Sequence, residues 1–191
     1  MTHSPDTQPD SGAPLLRQAM VPEHEALNAR LRPMLLEMAD RIPDKGTNKA
    51  TGESYFRNKW LSARNLHHLP DPAMVSLVGF IEQAANRITW PNLRPGQYRI
   101  TAMWAIVSRQ GLEGRPHSHS GLISGAYYVD SGDCDEAGGG AFAVYAPDAV
   151  RIVGTVRPRT GLMLMFPSTL CHGVQRYDSE SPRVVISFNL T

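Results

Sequence analysis

The stretch Arg115-Pro116-His117-Ser118-His119-Ser120-Gly121, running into Leu122-Ile123-Ser124-Gly125-Ala126-Tyr127-Tyr128-Val129, decides how the rest of the chain is read. Two histidines sit one residue apart at the mouth of a run rich in β-formers. On a strand, residues i and i+2 point to one face, roughly 6–7 Å apart at about 3.3 Å per residue. Imidazoles so placed can lean onto one metal ion at about 2.0–2.1 Å each. Gly114, Pro116 and Gly121 bracket the pair, which sets it where a loop enters a strand.

The pattern around this stretch is that of short strands. Tyr98 to Ser108, Leu122 to Asp130, Ala141 to Tyr145, Val150 to Val156, Leu162 to Phe166 and Val184 to Leu190 are β-rich runs. Turn clusters separate them, among them Gln110-Gly111, Gly138-Gly139-Gly140, Ala146-Pro147-Asp148 and Asp178 to Pro182. Short strands punctuated this regularly predict a sandwich or barrel. No internal repeat is visible.

Upstream the period changes to that of helices. Glu23 to Asp40 carries Leu27, Leu31, Met34, Leu35 and Met38 at helical spacing, with Pro33 expected to kink or split it. Asp71 as N-cap and Pro72 as first helical residue start a second helix. Its apolar face is Met74, Leu77, Val78, Ile81, Ala85 and Ile88, and it should stop before Pro91. Asp44 to Gly52 reads as an exposed loop and Met1 to Pro14 as a loose polar tail. The expected organisation is therefore a tail over residues 1–14 and one domain over 15–191. That domain is mainly β, a jelly roll with its two helices packed outside.

Two more residues extend the candidate site. His172 follows the apolar strand Leu162 to Phe166 and the turn at Pro167, 53 residues beyond His119. In a barrel that gap allows about four strands to return a third imidazole beside the first pair. Arg183 opens the last apolar run, 11 residues after His172. Alternation places Arg183, Val185, Ser187 and Asn189 on one face, and Val184, Ile186, Phe188 and Leu190 on the other. An inward Arg183 needs an anion, and its fork suits a carboxylate held by two bonds. Each feature alone has a plainer reading: a polar strand edge for His117 and His119, a satisfied core histidine for His172, a strand end in water for Arg183.

Bulk composition excludes several functions. The 191-residue chain has a formal net charge of +1, so no nucleic-acid footprint is indicated. No apolar run approaches bilayer length, and the first residues lack the basic start and apolar core of a signal peptide. Two cysteines, Cys134 and Cys171, fit a reducing, cytoplasmic setting. His67-His68 are adjacent and would face opposite ways on a strand. Trp60, Trp90 and Trp104 read as core or rim packing, and Gly138 to Gly140 as a flexible turn or lid.

Together these segments resemble the iron(II)- and 2-oxoglutarate-dependent oxygenase superfamily, and more narrowly its uncharacterised bacterial and phage members. The resemblance rests on Trp60-Leu61-Ser62, Trp104, Arg115 to His119, Ser124 to Val129, Gly138 to Pro147, Gly161 to His172 and Arg183 to Leu190. It covers roughly residues 55–191. It implies a cupin-like double-stranded β-helix holding one iron. Carried over, His117 is the first metal ligand, His119 takes the carboxylate position, and His172 is the distal ligand. Arg183 then binds the far carboxylate of 2-oxoglutarate. One of Tyr127 and Tyr128 assists, and Ser187 shares the face of Arg183. Counted back in twos along an unbroken strand, Tyr127 shares a face with the histidines; a bulge would select Tyr128 instead.

The sequence departs from the superfamily at His119, where a carboxylate is usual. A neutral imidazole there leaves the ion about one unit more positive, and three-imidazole sites also suit zinc, copper and nickel. The loop acids Asp130, Asp133, Asp135 and Glu136 are candidates for a replacement carboxylate. The expected function is oxidation, as a hydroxylation, of a small-molecule or peptide substrate with 2-oxoglutarate converted to succinate. No nucleic-acid or membrane partner is expected, and a homodimer is compatible with this reading. The alternatives are a cupin-like three-histidine metalloenzyme that does not use 2-oxoglutarate, and a non-catalytic metal-binding barrel.

Overall fold

The computed structural model of the protein describes residues 15–45, 58–134 and 139–191. All six expected β-rich runs form strands, and four short strands join them. In chain order the strands are β1 (Arg17–Met20), β2 (Lys59–Leu61), β3 (Ile100–Ser108), β4 (Leu112–His117), β5 (Ile123–Asp130), β6 (Phe142–Tyr145), β7 (Ile152–Val156), β8 (Leu162–Pro167), β9 (His172–Tyr177) and β10 (Arg183–Leu190). The helices are α1 (His24–Arg41) and α2 (Pro72–Arg87).

The strands make two antiparallel sheets. One has six strands in the order β1-β8-β5-β10-β3-β2, the other four in the order β4-β9-β6-β7. Period-two alternation on the six-stranded sheet sorts side chains into two layers. Ile123, Tyr127, Val184, Ile186, Phe188 and Leu190 point outward and join Leu31 and Leu35 of α1 and Met74, Leu77 and Ile81 of α2 in the larger core. Ala126, Tyr128, Leu164, Phe166 and Val185 point inward and meet Phe142 and Val144 of the four-stranded sheet. Helices, sheet and sheet thus form three layers, the jelly roll with helices outside that the sequence predicted.

The helices form where their caps and stripes say. Asp71 accepts hydrogen bonds from the backbone N–H of Ala73 at 2.9 Å and of Met74 at 3.4 Å, satisfying two of the free donors at the start of α2. α1 is not split, because it runs unbroken through Pro33. Pro33 and Ala29, whose carbonyl loses its partner, both lie on the exposed face. Water can satisfy that carbonyl there, while Leu27, Leu31 and Leu35 hold the helix to the sheet from the opposite side. Full burial of such a side chain contributes about 1.5–3 kcal/mol.

The tail expected over residues 1–14, part of the Asp44 to Gly52 loop and Gly138 lie outside the described residues. Gly139 and Gly140 are tied to β9 rather than forming a free lid: Gly139 bridges Tyr177, and the Gly140 N–H donates to the Arg176 carbonyl at 2.8 Å.

Candidate metal centre

The four-stranded sheet places two of the three histidines by register. His117 ends β4, His172 begins β9, and the two are paired residues of the antiparallel ladder. The strands approach closely because Gly173 follows His172: a Cβ on Gly173 would lie 2.6 Å from the Gly114 carbonyl oxygen. His119 is not on the strand with His117, as the i, i+2 reading supposed. β4 stops at His117, and His119 lies in the following loop, its N–H donating to the Ser168 carbonyl at 2.9 Å. Gly121, at φ +117, then turns the chain into β5.

The three imidazoles nevertheless converge. Ring centroids are 4.5 Å apart for His117 and His172, 5.0 Å for His117 and His119, and 5.1 Å for His119 and His172. One ring nitrogen from each lies within 4.8 Å of the other two. Two tautomers are set by carbonyls that can only accept. His117 Nδ1 donates to the Arg115 carbonyl at 2.8 Å, and His172 Nδ1 to the Leu170 carbonyl at 2.9 Å. Each bond reaches two residues back and leaves Nε2 with a free lone pair, the state a metal requires.

Electrostatics favour the same state. His172 is buried, with its ring 4.6 Å from Phe166 and 5.2 Å from Phe142. Burial pulls its pKa down to about 4, opposed by the bond to Leu170 and reinforced by the neighbouring histidines. His119 is also lowered to about 4, first by burial, then by His117 and Arg64. Neutral, preoriented imidazoles fit a divalent cation, and three of them without a carboxylate fit iron, zinc, copper or nickel. No acidic side chain among the described residues joins the cluster. Asp130 instead pairs with Arg32 at 2.5 Å, and Asp133 accepts from Ser179. Asp135 and Glu136 lie outside the described residues.

Arg183 is on the inner face of β10, 3% exposed, with its guanidinium 5.2 Å from the centre of the Tyr128 ring. Its Nε has no hydrogen-bond partner, and no carboxylate pairs with it among the described residues. A buried cation in this state is costly unless an anion joins it. Beside it in register lies Ser108, fully buried, its Oγ also without a partner. Arg183 Nε and Ser108 Oγ, two unsatisfied polar atoms on paired residues, fit the far carboxylate of 2-oxoglutarate. Phe142 stacks on His172, Phe166 packs against it at a tilt, and both share one hydrophobic cluster with Tyr128 and Val185, so the arginine and the histidines border the same inter-sheet layer.

The tyrosines separate cleanly. Tyr127 faces the helices, where its hydroxyl donates to Asn28 Oδ1 at 2.7 Å. Burial raises its pKa to about 12. Tyr128 faces inward, and its pKa is raised by burial and lowered by Arg183. Counting in twos from His117 pointed to Tyr127. It fails because the chain leaves the strand at His117 and turns at Gly121, so the parity is not carried through. Ser187 is half-buried on the inner face, between Trp104 and Ala126 in register. Trp104 packs its ring 5.9 Å from that of His119, with the Arg64 guanidinium 4.6 Å above the indole. Sequence reasoning missed Ser108 and Arg64. Only the pairing of distant strands reveals the first, and only the docking of residues 62–65 on β3 the second.

His67 and His68 lie with ring centroids 3.9 Å apart, tilted to one another, near α2 and outside the three-histidine cluster. Among the described residues no helix is long and apolar enough to cross a membrane.

Comparison with known proteins agrees with this geometry. Among curated proteins no relative matches the chain. A prolyl hydroxylase from Trichoplax adhaerens, solved with a hypoxia inducible factor oxygen degradation domain peptide fragment, has a similar fold: TM-score 0.66, 15% identity, covering 92% of this chain and 82% of that one. A prolyl-4-hydroxylase from Pseudomonas putida gives TM-score 0.62 at 16% identity, covering 92% of each chain. HygX from Streptomyces hygroscopicus, with nickel and 2-oxoglutarate bound, gives TM-score 0.58 at 12% identity, covering 90% of this chain and 81% of that one. Residues 102–189 match the family model described as "Putative 2OG-Fe(II) oxygenase", a span that runs from β3 to β10 and includes all three histidines and Arg183. Through that span the chain is similar to the 2OG-Fe(II) oxygenase family.

Proposed function

We propose that His117, His119 and His172 hold one iron(II) ion and that Arg183, with Tyr128 beside it, anchors the far carboxylate of 2-oxoglutarate. The reaction is hydroxylation of a peptide or small molecule. The observation that carries this reading is the pairing of three convergent imidazoles with a buried arginine that no carboxylate among the described residues pairs with. Iron and 2-oxoglutarate, when bound, supply the oxidising chemistry: dioxygen is consumed, 2-oxoglutarate becomes succinate and carbon dioxide, and the substrate gains a hydroxyl group.

The chain's own residues do the rest. The carbonyls of Arg115 and Leu170 hold His117 and His172 in the metal-binding tautomer. Phe142 and Phe166 back His172 and keep water from it. Arg183 fixes the orientation of the cosubstrate, and such positioning can supply about 7–11 kcal/mol in favourable cases. Residues 15–191 act as one domain with two sheets and an outer helical layer. A cysteine content of two, Cys134 and Cys171, supports a reducing, cytoplasmic compartment.

The test is succinate formation by purified protein given Fe(II), 2-oxoglutarate and ascorbate across candidate substrates. Silence throughout, together with no binding of 2-oxoglutarate, would sink the reading. The third imidazole favours one second reading, a three-histidine metalloenzyme that does not use 2-oxoglutarate. Metal analysis with 2-oxoglutarate titration of wild type and Arg183→Ala separates the two, since only the first predicts an arginine-dependent affinity.

A further inference from the structure

We propose that the substrate enters with an anionic group, a carboxylate or phosphate, which seats on the Arg64 guanidinium where it lies over Trp104 beside His119. This rests on the metal and cosubstrate reading above and names the class of substrate that the site takes.

Arg64 belongs to a segment pinned along β3. The Ser62 N–H donates to the Ala105 carbonyl at 3.1 Å, and the Ala105 N–H donates to Ser62 Oγ at 2.9 Å. The Met103 N–H donates to the Arg64 carbonyl at 3.1 Å, and Asn65 bridges Met103. The backbone of Arg64 is therefore held on both sides of Trp104 rather than swinging on a loop. Trp104 is buried and packs toward His119, so its exposed-side neighbour Arg64 stands at the rim of the histidine cluster.

A guanidinium laid on an aromatic ring keeps its N–H edges free for a planar or tetrahedral anion. Arg64 spends none of them on an acid within the protein: no ion pair to it forms among the described residues. The stack instead fixes a long side chain in advance, which lowers the ordering cost of binding.

The charge balance points the same way. The three imidazoles contribute no negative charge, unlike a set with one carboxylate. A divalent ion, a 2-oxoglutarate dianion and Arg183 leave the loaded site with a positive excess of about one unit, and Arg64 adds to it. Trp104 lies between Arg64 and His119, which sets the Arg64 charge at the edge of the cluster. A substrate with a negative group relieves this excess; a cationic one meets repulsion from both Arg64 and the metal.

The test uses the full chain labelled with nitrogen-15 and loaded with zinc(II) and 2-oxoglutarate. The probes are benzoate and phenyl phosphate against their neutral counterparts benzamide and benzyl alcohol. Proton–nitrogen correlation spectra report the Trp104 indole N–H, assigned with Trp104→Phe, and the amides of residues 62–65. The expected result is a saturable shift with at least one anionic probe, at least fivefold tighter than with its neutral counterpart. Arg64→Gln should remove that advantage and Arg64→Lys should keep part of it. Equal response to charged and neutral probes, no saturable response to either anion, or an anionic advantage that survives Arg64→Gln would overturn the proposal. Zinc content and 2-oxoglutarate affinity, measured on the same samples, report separately on the metal and cosubstrate reading. If that loading fails, the same titration of the metal-free chain still decides the role of Arg64.

Discussion

Replacing Arg183 by Met should move stability and cosubstrate affinity in opposite directions. In the free protein the guanidinium is buried, lacks a carboxylate and leaves Nε without a partner. An unsatisfied buried polar atom costs about 1–3 kcal/mol, and exchanging buried charge for a well-packed apolar side chain is often neutral or stabilising. Against this, the variant loses the contact with Tyr128, which is worth about 1–2 kcal/mol when desolvated. The balance is a gain of about 1 kcal/mol, or about 2–4 °C in Tm for a domain of this size. For 2-oxoglutarate the same change removes one partner of a buried ion pair. That costs about 2–5 kcal/mol, and so weakens Kd by about 30- to 4,000-fold.

Calorimetric melting of the metal-free chain and titration of 2-oxoglutarate into the zinc-loaded protein read the two quantities. Wild type should also gain about 2.7 kcal/mol at a ligand concentration of 100 Kd, and the variant at the same concentration less than about 1 kcal/mol. A variant that melts well below wild type while binding 2-oxoglutarate within threefold of it would refute the reasoning. Arg183 would then be a structural residue satisfied by the protein itself.

His119→Asp restores a carboxylate to the histidine set and should shift preference toward iron(II) and manganese(II) and away from copper and zinc, read as relative metal content after competitive loading; unchanged selectivity would remove His119 from the ligand set. His119 and His172 have folded pKa values of about 4, against about 6.5 unfolded. The unfolded chain therefore binds more protons between those values. The contribution of these two groups to the stability of the metal-free protein is flat above pH 6.5 and falls as pH drops toward 4, by up to about 3 kcal/mol for buried His172 and by less for half-buried His119, where solvent screens the charge. Urea melts at pH 7, 5.5 and 4.5 measure this, and His172→Phe, which can stack with Phe142 and Phe166, should flatten the profile. Tyr127→Phe breaks the bond to Asn28 and should cost about 1–2 kcal/mol in denaturant midpoints without changing 2-oxoglutarate affinity. Tyr128→Phe should do the reverse; equal effects on affinity would contradict the assignment of faces.

Much of this molecule was legible before its fold was known, for physical reasons that differ by element. The β10 run reads correctly because every residue obeys alternation: Val184, Ile186, Phe188 and Leu190 against the helices, Arg183 and Val185 inward. α2 is marked by both a cap and a stripe. β4 is hidden because Gly114 and Pro116 look like loop residues, yet proline is tolerated at a sheet edge, and β4 is the edge strand of its sheet. β1 is hidden because all four of its residues are exposed, so no burial pattern is written into them. The site splits the same way. Histidine and arginine announce themselves by chemistry, whereas Ser108 becomes notable only beside Arg183, a neighbour 75 positions away that pairing supplies.

That division explains why the proposed ligand set differs from that of the superfamily it resembles at one position rather than another. His117 and His172 are paired across the β4–β9 ladder, and Gly173 sets the closeness of their strands. Changing either alters a side chain whose tautomer, packing and backbone partner are all specified by the sheet. His119 stands beyond the end of β4, held by one backbone bond to Ser168 and by its contact with Trp104. A different donor there disturbs no strand pairing and no buried aromatic stack of the kind that encloses His172. The fold therefore fixes two of the proposed ligands and leaves the third open to exchange. Once the exchange removes a negative charge, charge has to be balanced by what binds, and Arg64 stands beside His119 to receive it.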